Sequence, residues 1–369
     1  MIRFAAPTTK NNMNKRIVLA LFAATSMQAA QVEVANDLDA ARASETIEVK
    51  LKQPGPVVVR DAAGTEVVSQ MIGDNVVIFQ ASFGPKATKQ FTVTPGTPTP
   101  AEAKVFGRFV PERADDFAWE NDRIAFRIYG PKLMKVEPPS GSGVDVWSKR
   151  TQQLIVNKWY KSGKYHSDAG EGCDCYKVGQ GRGCGGTGIW NDGKLHVSRN
   201  FKTWQVLANG PIRVVFELTY EPWEAGGVNV SEVKRFSLDA GTHLNRMRST
   251  FTIQGADRAT AAVGLTEHKG SKLLAAPEHG WMGVWESAGG TNGFHATGVV
   301  FPPASKVELK EANADALLLT PVKSGEPVEY YIGAGWSKSG FADSAAWQAY
   351  LAEFAARLKA PLRVTVKGD

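Results

Sequence analysis

A rhythm of short alternating strands broken by tight turns restricts this fold more than any other pattern. Residues 46–51, 57–60, 67–71, 75–83 and 88–94 are rich in alternating or β-branched side chains. Between them stand Gln53-Pro54-Gly55, the turn from Asp61 to Gly64, Gly73-Asp74-Asn75 and Phe83-Gly84-Pro85. Gly, Pro, Asn and Asp supply the dihedrals that a chain reversal needs, so each cluster marks a turn. Strands at this spacing predict a β-sandwich-like unit. The prolines at 95, 98 and 100 then read as a linker.

The rest of the chain alternates over longer stretches. Val214, Phe216, Leu218 and Tyr220 fall on one face of a strand, with Arg213, Glu217 and Thr219 on the other. Residues 228–238 lead through a turn at 239–242 into 243–253, where Met247, Ser249, Phe251 and Ile253 oppose Arg246, Arg248, Thr250 and Thr252. Asn191-Asp192-Gly193 marks another hairpin. Long strands with a polar second face predict a large antiparallel sheet that is open on one side. One helix is expected, capped by Asp343 or Ser344, with Trp347, Leu351, Phe354 and Leu358 as its apolar stripe. Pro361 stops it, and 362–366 forms a last strand. The expected fold class is mainly β, a large antiparallel β-sandwich with few helices and one of them near the C-terminus. The expected division is a signal peptide over 1–30, N-terminal sandwich strands over 31–100, and a main β domain over 101–369 that carries the site.

The N-terminus reads as an export signal that starts at Met1 or Met13. Lys15 and Arg16 precede an apolar run over 17–24, and small residues follow up to Ala29 and Ala30. That run is too short to span a bilayer, which takes roughly 20 apolar residues. Export implies a periplasmic or secreted protein in an oxidising compartment. It also changes the charge argument. The whole chain is +6, but residues 1–30 hold four basic residues and no acidic ones, leaving 39 basic against 37 acidic, or +2. The residual charge is concentrated: from Lys149 to Lys202 ten Lys or Arg face four Asp or Glu. A local +6 in a nearly neutral protein points to an anionic ligand. No P-loop or dinucleotide motif is present, and nothing marks nucleic acid as a partner.

The stretch from Trp159 to Trp190 lies inside that basic region. It holds His166, three acids, all three cysteines and nine glycines among tyrosines and tryptophans. A glycine-rich loop loaded with titratable groups is read as functional. Cys173, Cys175 and Cys184 predict one disulfide and one spare thiol, with Cys184 paired to Cys173 or Cys175. A zinc site using His166 is the lesser alternative, because C-x-C spacing matches no common zinc pattern.

Candidate chemistry falls in three places. Residues 106–129 crowd Arg108, Arg113, Trp119, Glu120, Asn121, Asp122, Arg123 and Arg127 together. The loop offers Trp159, Tyr160, Tyr165, His166 and Asp168. Downstream lie His268, Tyr331 and Trp336, while His196 and His243 read as structural. Ten tryptophans, several beside acids or bases, suit sugars, whose C–H faces stack on aromatic rings and whose hydroxyl edges meet polar groups.

The strings FGRFVPERADDFAWENDRIAFRIYGP, SGVDVWSKRT, NKWY, YHSDAGEGCDCYKVGQGRGCGGTGIW and SRNF resemble the bacterial family catalogued as domain of unknown function 4861. The resemblance spans nearly all of the chain after the leader. It implies a β-supersandwich related to galactose mutarotase-like and polysaccharide-lyase domains. It also implies an exported protein of polysaccharide-degrading bacteria, acting on uronic-acid oligosaccharides.

The leading expectation is metal-independent β-elimination on such an oligosaccharide, by a lyase or dehydratase. That chemistry needs a cation to offset the carboxylate, a base for the C5 proton and an acid for the departing oxygen. Arg123 or Arg113 is expected to hold the carboxylate, with His166 as base, Tyr165 as acid and His268 as the substitute base. Arg113, Trp119, Asn121, Asp122, Trp147, Lys149, Trp159, Tyr160, Asp168, Tyr331 and Trp336 are the expected sugar contacts. No cofactor is required, with Ca²⁺ as the alternative. A hydrolase or epimerase using Asp122 with Glu267, or Asp168 with Glu171, is the second expectation. A non-catalytic sugar-binding protein is the third.

Overall fold

The computed structural model describes residues 29–136 and 141–368. The export signal expected at the N-terminus lies outside these, apart from residues 29 and 30. Strands Ala30–Ala35, Thr88–Pro95, Val57–Asp61 and Glu66–Val67 build one sheet, and Arg42–Lys50, Val76–Phe83 and Ser69–Ile72 build the sheet facing it. The alternation read from sequence sets the faces. Val32, Val34, Ile47, Val49, Val59, Val77, Phe79, Phe91 and Val93 all pack between the two sheets. The last strand, Arg363–Lys367, pairs antiparallel with Ala30–Ala35, Val364 opposite Val34. The N-terminal unit is therefore completed from the far end of the chain, which covers an edge that Ala30–Ala35 would otherwise expose.

The main unit is built on an eight-stranded antiparallel sheet. Its order is Thr203–Asn209, Arg213–Glu224, Asn229–Asp239, Leu244–Gln254, Pro327–Trp336, Phe294–Val300, Trp281–Ser287 and Lys272–Ala276. Opposite it lie two five-stranded sheets. One runs Gly172–Cys173, Val144–Lys149, Ile124–Ile128, Asp116–Asn121, Val105–Val110; the other runs Lys194–His196, Cys184–Asn191, Arg258–Thr266, Asp315–Lys323, Glu308–Ala312. A single apolar core joins all three, with Trp119, Phe126, Phe216, Phe236, Met247, Leu265, Val284, Leu318 and Ile332 in it. At about 25 cal/mol per Å² of apolar area, a core of this size supplies the main favourable term in folding.

The outer face of the large sheet is covered by helix Ser344–Lys359. Asp343 caps it, its side chain accepting from the Ala346 amide at 2.9 Å. Trp347 and Leu351 sit fully buried in a groove over Gly283, Gly298 and Gly335. A Cβ at Gly298 would stand 2.7 Å from Leu351 and 3.0 Å from Trp347, so only glycine on these strands lets the helix come this close. Among the described residues no helix is long and apolar enough to cross a membrane.

The stretch from Trp159 to Trp190 is not one loop. It opens in helix Val156–Ser162, ends in strand Cys184–Asn191, and is irregular only between them except for Gly172–Cys173. The glycines at its end serve packing rather than ligand approach. Gly183 holds φ +59° where a Cβ would run into the Val144 backbone, and a Cβ at Gly185 would run into Ile332.

Candidate functional site

The two five-stranded sheets meet where Val144 bridges Gly183. The irregular segment crosses this seam, and a cavity of about 580 Å³ opens beside it. Arg127, Tyr129, His166, Asp174, Cys175, Tyr176, Lys177 and Asn292 are among its walls. At its base, antiparallel pairing places Arg127 directly opposite Asp145. Arg127 Nε donates to Asp145 Oδ2 at 2.7 Å and Nη2 donates to Asp174 Oδ2 at 2.9 Å. Nε and Nη2 share one edge of the guanidinium, so the two carboxyl groups sit side by side. Asp116 approaches the same guanidinium at 3.9 Å. Tyr129 donates its hydroxyl to Asp145 Oδ2 at 2.9 Å, and Tyr160 donates to Asp116 at 3.3 Å. The Arg127 guanidinium also lies 5.4 Å from the Trp147 ring centre.

Three carboxyls around one arginine cannot all ionise cheaply. Burial, and then the neighbouring Asp145, push Asp174 up to about 8; burial pushes Asp116 up to about 6. Near neutral pH this cluster retains a proton that ordinary carboxylates would have lost. Burial, and then Asp145, raise Tyr129 above the usual phenol range. At the mouth, His166 is two-thirds exposed with Nδ1 3.3 Å from Asp174 Oδ2. The cavity thus presents an imidazole, a phenol and a proton-bearing carboxyl linked through one guanidinium.

The wall residues Asp174 to Val178 are fixed from below. Cys173 and Cys175 form the disulfide and Cys184 is the free thiol, so the expected pairing through Cys184 is corrected. Cys184 is buried in the core and donates toward the Gly333 carbonyl, and burial pushes its thiol up to about 12. With two cysteines in a disulfide and the third in the core, no thiolate set remains for zinc. Among the described residues no group of three His, Cys, Asp or Glu is arranged to hold a metal.

His268 and His295 flank Tyr176 edge-on, at 6.0 and 5.8 Å. His268 Nδ1 lies 2.8 Å from Glu286 Oε2, and that hydrogen bond raises its pKa. A backbone hydrogen bond also ties His268 to Lys177. His295 Nδ1 lies 3.0 Å from the Ser148 hydroxyl. Both histidines act as supports for the wall.

The structure separates several residues that sequence reasoning grouped. Tyr165 touches His166 at 4.6 Å but is buried, stacked parallel to Trp159 at 6.3 Å and packed on Trp147 at 4.9 Å, so its ring belongs to a satellite core. Arg123 pairs with Asp122, whose other oxygen accepts from the Gly241 amide, and neither is part of the cavity lining. Trp119 is fully buried and donates to Asn245 at 2.7 Å. Asn121 ties its own turn to the carbonyls of Asp239 and Thr242. Lys149 is buried against Glu120 at 2.6 Å, and Glu120 also accepts from the amides of Ile155 and Val156 at the start of helix Val156–Ser162.

Trp159 and Trp336 are buried, with Trp336 Nε1 donating to the Asn292 carbonyl. Asp168 caps its own loop and pairs with Arg150 and Lys338; Glu171 pairs with Lys158. Glu267 feels Glu311 and Asp315, not Asp122. His243 is held neutral, burial pushing it down to about 4. Arg113 does act on the cluster, its charge opposing the rise in Asp116 and Asp174.

Asp145 and Tyr129 were missed as site residues. The signal was present: Asp145 interrupts the apolar run Val144 to Trp147, and Arg127 lies between Phe126 and Ile128 on a strand that is buried throughout. A charge at an inward strand position needs a buried partner.

A second cavity, of about 570 Å³, lies between the two units and includes Tyr331. Three of its four arginines are already paired, Arg213 with Asp239 and Glu48, Arg246 with Glu329, and Arg357 with Glu45, and Arg42 donates to Asn36 Oδ1 and the Ala360 carbonyl. The pairs to Glu48 and Glu45 bind the N-terminal sandwich to the main unit.

Fold and site together define a two-unit β-sandwich protein with an arginine–carboxylate cluster beneath an open histidine. The chain belongs to the family described as Domain of unknown function (DUF4861), whose model matches residues 34–364. A relative from Formosa agariphila, "Uncharacterized protein P7", is 31% identical over 371 residues, covering 91% of this chain and 93% of its own. Among solved structures, an α-mannosidase from Enterococcus faecalis V583 matches with a TM-score of 0.51 at 9% identity, over 92% of this chain and 46% of that one. A glycosyl hydrolase family 38 protein from Enterococcus faecalis matches with the same score and identity, over 47% of its length. The chain therefore spans about half the length of these structures, and the likeness concerns the fold alone.

Proposed function

We propose that this chain is an exported carbohydrate-active enzyme that cleaves uronate-containing oligosaccharides by β-elimination at the seam cavity. The observation that carries the reading is that His166 and Tyr129 line one cavity and are joined through Asp174, Arg127 and Asp145. His166 takes the C5 proton through Nε2 while Asp174 faces its Nδ1 side. Charge gained by the imidazole is offset when Asp174 gives up its proton to Asp145, the carboxylate beside it on the same guanidinium edge. Tyr129 protonates the departing C4 oxygen and is reprotonated by way of Asp145. The acid role expected for Tyr165 thus passes to Tyr129, because the Tyr165 ring packs in the core. No step needs a metal or an organic cofactor.

Hydrolysis is the second reading. A carboxyl pushed up to about 8 has the form of a glycosidase general acid, and the sandwich fold resembles that of α-mannosidase structures. The two are separated by product. Elimination yields a conjugated unsaturated uronate with strong ultraviolet absorbance, whereas hydrolysis yields new reducing ends without it. In the elimination reading, His166→Ala loses turnover by about 10²-fold or more while its melting temperature stays near that of the parent, since the ring is largely exposed. Full activity in that variant overturns the assignment.

A further inference from the structure

The basic groups at the seam cavity differ in how far acids already hold them. Arg127 is surrounded by Asp116, Asp145 and Asp174. His166 faces Asp174, and His268, just behind the wall, is tied to Glu286. Lys177 differs. It lines the same cavity, it is exposed, and no carboxylate among the described residues stands within ion-pair distance of its ammonium group.

Its backbone is nevertheless fixed. His268 holds it by a hydrogen bond, Tyr176 before it is buried between two imidazoles, and the disulfide lies two residues upstream. A flexible ammonium on a rigid backbone, outside the network in which Arg127 and its three carboxyls satisfy one another, is a cation that the cavity can offer to an anion. Uncommitted lysines are ordinary on open surfaces. This one faces a concave site on the same wall as His166 and Asp174, with Asn292 also in the lining to meet hydroxyl groups.

From this geometry we infer that Lys177 is the specificity determinant of the cavity, pairing with the carboxylate of the bound sugar. This rests on the uronate reading above and adds the residue that enforces it. A lysine acts as a point charge rather than a planar fork, so it attracts a carboxylate without fixing the plane of that group. The carboxylate is then oriented by the sugar ring and by the contacts opposite. Offsetting its charge is also what makes the C5 proton removable by His166.

The test is calorimetric binding of methyl glucuronide and methyl glucoside to the intact protein and to Lys177→Met and Lys177→Arg. The parent is expected to bind the glucuronide about tenfold tighter than the glucoside, a difference of about 1.4 kcal/mol. That preference should shrink as salt is raised, because the pair is exposed. Lys177→Met should bind both sugars with the glucoside's affinity, and Lys177→Arg should keep the preference. If Lys177→Met keeps a tenfold preference, the carboxylate is held elsewhere and the Lys177 assignment fails while the uronate reading stands. If the parent shows no preference, or binds neither sugar, the uronate reading fails and the lysine's role fails with it. The exposed side chain makes a folding defect in these variants easy to exclude by circular dichroism.

Discussion

Asp174 Oδ2 lies 2.9 Å from Arg127 Nη2 and yet burial and Asp145 hold the acid's pKa up at about 8. An arginine this close ordinarily lowers a carboxyl pKa. Here the arginine is shared, and the second carboxyl on the same guanidinium edge cancels the benefit. The pair behaves as one acid with a retained proton, placed against an exposed histidine.

This arrangement has a stability consequence. Asp174 starts from 3.8 when unfolded and titrates near 8 when folded, so between these values the native state binds more protons than the unfolded state. Stability contributed by the protonated form is full below about 4 and is lost as pH rises through about 8. Asp116, raised to about 6, acts in the same direction over a narrower window. In Asp174→Asn the fall in melting temperature from pH 4 to pH 8 should be shallower than in the parent. Parallel curves across that range would show that Asp174 does not retain its proton.

Tyr129 and Tyr165 make a matched pair for testing the acid. Both are partly or wholly buried, but the Tyr129 hydroxyl touches Asp145 and its side chain lines the cavity, whereas Tyr165 packs on Trp147 and Trp159. Tyr129→Phe should lower kcat by about 10²-fold or more, the range expected for loss of a general acid. Tyr165→Phe should leave kcat within a factor of about three while the fold is retained. The reverse result would return the acid role to Tyr165.

The Cys173–Cys175 bridge encloses a single residue, Asp174. So short a loop removes little entropy from the unfolded chain, and its contribution to global stability should be small. Its effect should fall on the position of Asp174 instead. Replacing both cysteines by serine is expected to shift the melting temperature by only a few degrees, as for a change of about 1 kcal/mol. Turnover should fall by about tenfold or more, since small misplacement at a site is costly. A large thermal shift with unchanged turnover would make the bridge purely structural.

Gly298 tests the packing of the C-terminal helix. Its missing Cβ would meet Leu351 at 2.7 Å and Trp347 at 3.0 Å, both in fully buried side chains. Gly298→Ala should destabilise by about 1–3 kcal/mol in urea unfolding. Gly163→Ala is not a suitable control, because Gly163 holds φ +62°. Ala345→Gly, in the first turn of the exposed helix face, gives the expected size of a bare backbone effect, about 1 kcal/mol or less.

Much of this architecture was legible from periodicity. The N-terminal strands, the hairpin through Asp239 and Gly241, and the helix capped by Asp343 all follow from local rules, because alternation and turn dihedrals act over a few residues. The segment around His166 stood out in the sequence for its density of titratable groups, and His166, Asp174 and Lys177 from it line one cavity. The partner of His166 was not legible. Sequence proximity favoured Tyr165, whose ring does touch His166 at 4.6 Å but is buried beside Trp147, while the acid that meets the imidazole is Asp174.

What only the tertiary structure decided is which charges share a guanidinium. Asp116, Arg127, Asp145 and Asp174 are spread over some sixty residues, and they meet because strand register sets Arg127 opposite Asp145 while a disulfide-bound turn returns Asp174 to the same point. The sequence by itself determined that the chain would form sheets and that one segment would concentrate titratable groups, since those depend on local dihedrals and composition. Register and seam geometry arise from packing across the whole core. They alone set the distances at which buried carboxyls compete for a proton.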